Sequence, residues 1–290
     1  MANNKFLEET GLSRLWAHTK KLVDDRVKQF KGYQPSLLTN GDFQVNQRGL
    51  NIYDYTNKGG ITIDMWLVNQ MKVSVMFDNW VKVENPREVI HYFQQKVRFT
   101  RKGQHTVALN VRNIKGTVSL YYEKEDHGGG VVKVGDLKNG RNEFTFTAST
   151  MINVAIGVPT NASIEIEYID LFEGNIAYQH TKADYAVELM KCQKRYIKLR
   201  ETATILFRYS DNKVLYNVPF PKMYANPKLV SIKINATDDF GNGMEATYSN
   251  LTDLYVEDNS SMSFKVTWPK TVKKDIGGSK CLIELSCELV

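Results

Sequence analysis

The side chains in this sequence that could do chemistry are carboxylates, aromatic rings and a few histidines. Cleaving a glycosidic bond takes two carboxyl groups about 5–9 Å apart across the bound sugar. Glu165 with Glu167, and Glu123 with Glu125, meet that spacing as i,i+2 neighbours in strand-like stretches. Alternating carboxylates also line ordinary exposed sheet faces, and that commoner use is the one expected here. His91, His105, His127 and His180 are scattered without metal-ligand spacing, and His127 opens a glycine run. No P-loop, GxGxxG, GxSxG or HExxH occurs. No catalytic residue is therefore assigned, and the chain is not expected to be an enzyme.

Reversible sugar binding asks for less. Carbohydrate sites on β-sandwiches set flat rings against the C–H side of a pyranose and use amides and acids for its hydroxyls. Trp80 stands beside the turn residues Asp78 and Asn79. Together with Tyr92 and Tyr122 it makes the candidate ligand-binding set, with core packing as the competing use of each ring. Trp66 is assigned to the core. Tyr121 and Tyr122 are consecutive, so in a strand they point to opposite faces and at most one faces out.

The net charge is +6 over 290 residues. No compact Lys/Arg block or nucleic-acid motif accompanies it, so nucleic acid is not an expected partner. No run of about 18 apolar residues is present, and membrane insertion is not expected. The first residues lack the apolar centre of a secretory signal, so work outside a bacterium would imply release from the host cytoplasm by lysis. The three cysteines, Cys192, Cys281 and Cys287, are too few and too awkwardly spaced for a disulfide framework.

These residues must be positioned by a mainly β chain. Leu12, Trp16, Val23 and Phe30 belong to an apolar stripe at three- and four-residue steps, the mark of an amphipathic helix over residues 6–31. About two and a half heptads are marginal for a lone helix. The stripe is thus expected to bury against sister copies or another protein, the alternative being its own downstream domain. After a linker at 32–36, short alternating segments separated by Gly, Asn and Asp predict a β-sandwich or barrel to about residue 177. WLVNQMKVSVMF reads as one of its strands. Asp184 then suits the cap of a helix over 184–199, with Tyr185, Leu189, Cys192 and Tyr196 on one face. The remainder reads as a second β-sandwich. The expected domains are a helical arm at 1–32, a jelly-roll module at 33–178, and a helix plus β module at 179–290.

Three motifs carry a resemblance. Asn40–Gly49, reading NGDFQVNQRG, with Asp64-Met65-Trp66 downstream, resembles the opening of carbohydrate-binding jelly-roll modules of phage and prophage tail fibres. It departs from that pattern at Asn46, where Trp is usual, and at Met65, where Arg is common. YIDLFEGNIA is similar to the final strand of the same modules. ELMKCQKRY looks like the helix that starts a second tail-fibre module, with Lys194 as an extra residue. The resemblance implies a jelly roll that binds host cell-surface glycan without cutting it, in a homotrimer attached to other virion proteins through the N-terminal arm. It also implies a structural calcium between first and last strands, with Asp42 and Asp170 as its positions, and no other cofactor. The alternatives are a structural virion part, such as a head fibre, decoration protein or baseplate adaptor, and a polysaccharide depolymerase.

Overall fold

A strand buries alternate residues, so the phase of its apolar positions decides which face meets the core. Twelve strands between residues 52 and 173 form two antiparallel sheets. The structure, a computed structural model, describes residues 16–20, 34–98, 102–123, 130–148, 151–210, 212–237, 243–247, 251–256, 260–270 and 278–287. The first sheet has the order β1 (Ile52–Asp54), β4 (Lys72–Val75), β5 (Val81–Glu84), β12 (Ser163–Glu173), β7 (Gly103–Lys115), β10 (Gly140–Ala148). The second has β2 (Gly59–Ile61), β3 (Leu67–Asn69), β6 (His91–Arg98), β11 (Met151–Val158), β8 (Ser119–Glu123), β9 (Val131–Asp136). One continuous core draws on both: Val83, Leu109 and Ile166 from the first sheet, Phe93, Leu120 and Ile156 from the second. Of the sandwich and barrel that the alternation predicts, the chain forms the sandwich, in keeping with the jelly roll that the resemblance implies.

The WLVNQMKVSVMF segment is two strands rather than one. Gln70 takes a left-handed φ of 53° between β3 and β4, and these strands join different sheets. The change of hand lets one apolar run feed both halves of the sandwich.

Helical residues are found at 16–20 (α1) and Tyr185–Gln193 (α2). Asp184 caps α2 as expected, accepting from the Val187 amide at 3.0 Å. The helix stops at Gln193, short of the expected 199, because Tyr196 is already paired with Ser286 as the first residue of a strand. Its buried residues are Glu188 and Cys192, whereas Tyr185 is exposed. The face that packs is thus one charged residue away from the purely apolar face expected.

Seven antiparallel strands complete the described chain: β13 (Tyr196–Ser210), β14 (Lys213–Pro219), β15 (Lys228–Thr237), β16 (Gly243–Thr247), β17 (Leu251–Val256), β18 (Ser261–Thr267) and β19 (Gly278–Ser286). They form one sheet in the order β16-β15-β19-β13-β14-β18-β17. Met244 near one edge and Phe264 near the other share a single core with Tyr216, Ile283 and Trp268. The sheet therefore folds over itself, and irregular register in β13, β15 and β17 supplies the bends. Cys192 and Cys281 are buried and Cys287 is half-buried, and none of the three is in a disulfide among the described residues.

Candidate functional site

The outer face of the second sheet carries a trough. On β6, Phe93, Gln95 and Val97 turn inward, which leaves Tyr92, Gln94 and Lys96 outward. Their partners on β11 are Gly157, Ala155 and Asn153, and these in turn face Ser119, Tyr121 and Glu123 of β8. Two aromatic-bearing strands thus flank a middle strand with almost no side chains. Tyr92 and Tyr121 meet edge to face, 5.4 Å between centroids. A Cβ at Gly157 would come within 2.4 Å of the Tyr121 ring, so glycine is what lets that ring lie across the middle strand.

Polar groups continue the trough. Asn153 donates to Glu123 at 2.5 Å, and Gln94 lies half-buried opposite Ala155. Burial, and after it Tyr121, raises the Tyr92 phenol above its ordinary value, so its hydroxyl stays protonated at neutral pH. Half-buried rings with amides and a carboxylate beside them can hold the apolar side of a sugar ring and exchange hydrogen bonds with its hydroxyls.

The predicted ligand residues separate here. Tyr92 is in the trough. Tyr122 is not: it is 6% exposed and stacks on Phe146 at 4.5 Å inside the core, and its neighbour Tyr121 is the ring on the trough face. The reason is phase, since Tyr122 shares its face with the buried Leu120. Trp80 lies away from the trough, half-buried just before β5 of the other sheet, with the Arg112 guanidinium 3.9 Å from its ring centroid. Hydrogen bonds from Arg112 to Glu165 and Asp78 raise the Arg112 pKa and fix it there. Gly157, Asn153 and Gln94 escape a search for aromatics, although the alternation of β6 and β11 marks their face.

The carboxylate pairs are engaged elsewhere. Glu165 is bonded to Arg112 at 2.7 Å, and Glu167 accepts from Asn110 at 2.5 Å. Burial works against the Glu165 charge, yet the bonds from Arg112 and Asn113 hold its pKa below the ordinary value. Glu125 lies outside the described residues.

Asp42 and Asp170 line one small cavity of about 50 Å³, together with Ser36, His180 and Glu188. Both are buried. His180 stacks on Tyr168 at 3.8 Å and bonds Asp170 Oδ2 through Nδ1 at 2.8 Å. Asp42 Oδ2 accepts from Gln44 and from the Ala183 amide, whereas its Oδ1 is buried without a partner. Among the described residues no group of three acidic, His or Cys side chains is clustered for a metal. An unpartnered carboxylate oxygen beside a second carboxylate suits a hard cation, which would draw its other ligands from backbone oxygens. Asp42 and Asp170 would hold it, and its contribution would be structural.

The Asn40–Gly49 motif is a fastening. Asn40 bonds both backbone groups of Val45, and its carbonyl takes the Trp66 indole N–H at 2.9 Å. Phe43 and Phe93 pack on Trp66, confirming it as core. Buried Asp64 accepts from the Gln47 amide and from Arg48. The same loop grips the second module. Arg48 lies 3.8 Å over the Tyr196 ring, Gln47 donates to the Tyr196 carbonyl, and Glu188 accepts from the Asn40 amide at 2.6 Å.

Of the oligomerisation residues, Trp16 is 73% exposed, while Leu12, Val23 and Phe30 lie outside the described residues.

No family model and no curated protein matches the chain. Among solved structures, a CBM61 module in complex with β-1,4-galactotriose aligns at 15% identity and TM-score 0.31, over 49% of this chain and all of its own. The tandem CBM22 domains of Paenibacillus barcinonensis Xyn10C align at 8% identity and TM-score 0.35, over 88% of this chain and 99% of theirs. The enzymatically active domain of tailspike protein 4 of bacteriophage CBA120 aligns at 14% identity and TM-score 0.30, over 47% of this chain and 21% of its own. None of these likenesses assigns a ligand or an activity to the chain.

Proposed function

We propose that this chain is a non-catalytic glycan-binding protein, carried on the virion of a tailed phage or prophage and contacting the host cell surface. The observation that carries the glycan reading is the trough, where Tyr92 and Tyr121 flank Gly157 with Gln94, Asn153 and Glu123 alongside. The engagement of Glu165 and Glu167 in bonds to Arg112 and Asn110 favours binding over cleavage. The virion assignment rests on the three sequence motifs and their order. A homotrimer, held by the arm that contains Trp16, belongs to the same reading. One shallow sugar site binds weakly because the ligand exchanges water hydrogen bonds for few net gains. Linked copies raise avidity by about 10²–10⁴.

The test is retention of the full chain on host envelopes and on a glycan array, beside Tyr92→Ala and Tyr121→Ala. Loss of a stacking ring should weaken binding by about tenfold, with the fold intact. No retention at any salt concentration would instead favour a structural virion part. Release of reducing ends from host polysaccharide would favour a depolymerase.

A further inference from the structure

A cleft of about 590 Å³ opens between the two modules, at the end of β6 where Lys96 lies on the trough's own face. That volume suits a small ligand or one or two sugar units. Lys96 and Gln95 of β6 line one wall, and Arg195 and Tyr224 of the second module line the other; no lining residue is acidic. The cleft is built. Gln95 is fixed by hydrogen bonds to both backbone groups of Thr39. The Tyr224 amide donates to the Lys194 carbonyl, and the Cys287 amide donates to that of Arg195.

The Arg195 guanidinium lies 5.3 Å from the Tyr224 ring centroid, and Lys194 approaches the same ring at 5.7 Å. Among the described residues Arg195 has no carboxylate partner, and its Nε is buried there without a hydrogen-bond partner. A buried, unpartnered guanidinium N–H is costly and calls for an acceptor. The acceptor that a guanidinium matches best is a planar or tetrahedral oxoanion. Tyr92 and Lys96 are four residues apart on one strand face, about 13 Å. A saccharide lying on the trough along β6 therefore leads into the cleft.

We infer that this cleft takes an oxoanion borne by the glycan, a uronate carboxylate or a phosphodiester, so that the ligand is an acidic polymer. Arg195 is the main contact, Lys96 the second, and Tyr224 the ring against which the sugar rests. The inference leans on the glycan reading for its polymer, and on the cleft's own charge for its anion.

The experiment measures affinity of the full chain, at low salt, for three probes: tetragalacturonate, its fully methyl-esterified neutral form, and a glycerol-phosphate oligomer. At least one charged probe should bind about tenfold more tightly than the neutral one, one charge-assisted contact's worth. The better charged probe identifies the source of the oxoanion. Arg195→Gln should abolish the preference and Lys96→Gln should reduce it, whereas Lys138→Gln, which removes a charge outside the cleft, should preserve it. Equal affinity for charged and neutral probes, or a preference that survives Arg195→Gln, overturns the inference. So does an equal loss in Lys138→Gln, which would show only general attraction to a basic protein, or no binding of any probe at millimolar concentration. Neutral binding that depends on Tyr92 without any acid preference would leave the trough standing and remove the cleft. Acid binding indifferent to Tyr92→Ala would do the reverse.

Discussion

Glu188→Ala tests the idea that the two modules are joined by a buried bond rather than merely set side by side. Glu188 is 3% exposed and accepts from the Asn40 amide at 2.6 Å and from Lys191 Nζ at 2.5 Å. Truncation frees Lys191, whose side chain is 43% exposed and regains water, so that pair contributes at most about 1 kcal/mol. The Asn40 amide fares worse. It belongs to a fully buried residue and loses its acceptor, at about 1–3 kcal/mol. The sum is about 1–4 kcal/mol, whereas Glu188→Gln keeps an acceptor oxygen and should cost about 1 kcal/mol or less. Urea unfolding followed by tryptophan fluorescence reads this directly, since Trp66 and Trp80 report the first module and Trp268 the second. The wild-type chain should unfold with its two transitions overlapping, and Glu188→Ala should lower the midpoint and draw them apart. An unchanged midpoint in Glu188→Ala would show that water or another acceptor serves Asn40, and the joint would have to rest on Arg48 and Tyr196 alone.

Tyr122→Ala should destabilise the first module by about 3–5 kcal/mol in the same assay, because the stacked ring leaves a core cavity; a loss under 1 kcal/mol would mean the ring is not core. Burial, and behind it the Arg87 charge, lowers His91 below its ordinary 6.5. The unfolded chain then takes up the proton first, so stability is complete above about pH 6.5, falls as pH drops below it, and levels off under the folded value. His91→Gln should flatten that slope, and a melt series with the same slope would assign it to other groups. Calcium should raise the melting midpoint, by about 2.7 kcal/mol of stabilisation at a hundredfold excess over Kd, and Asp42→Asn should abolish the shift; a wild-type midpoint indifferent to millimolar calcium rules the cation out.

The sandwich is legible in the sequence because its signal is local. Val118, Leu120 and Tyr122 stand against Ser119, Tyr121 and Glu123, and that alternation already separates core from surface. The same phase that buries Leu120 places Tyr122 inside. The capped start of α2 is equally local, since Asp184 needs only its own next turn. Its end is not, because the strand that claims Tyr196 is set by a partner ninety residues on, at Ser286. Glu188 shows the same limit. On a helical wheel it reads as a solvated charge, and only the fold brings it to Asn40, 148 residues away in sequence. The trough is half legible: tyrosines suggest a sugar surface, but the register that pairs Gly157 with Tyr92 and sets it one same-face pair on from Tyr121 belongs to three strands at once.

The segment joining the modules has a further consequence. A stretch of ten unstructured residues between two domains is ordinarily where proteases nick a chain. Here residues 174–183 are strapped across the outer face of the first sheet. Ala177 packs with Phe172, the Tyr178 carbonyl takes a bond from Arg141, and His180 stacks on Tyr168. Its backbone cannot easily be drawn out into a protease cleft, so limited digestion should spare the joint that composition marks as weakest. The strap lies on β12, β7 and β10 with the chain's own backbone. The half of that face around Trp80, Lys82 and Arg112 stays open, so the strap divides the outer surface of the first sheet rather than closing it.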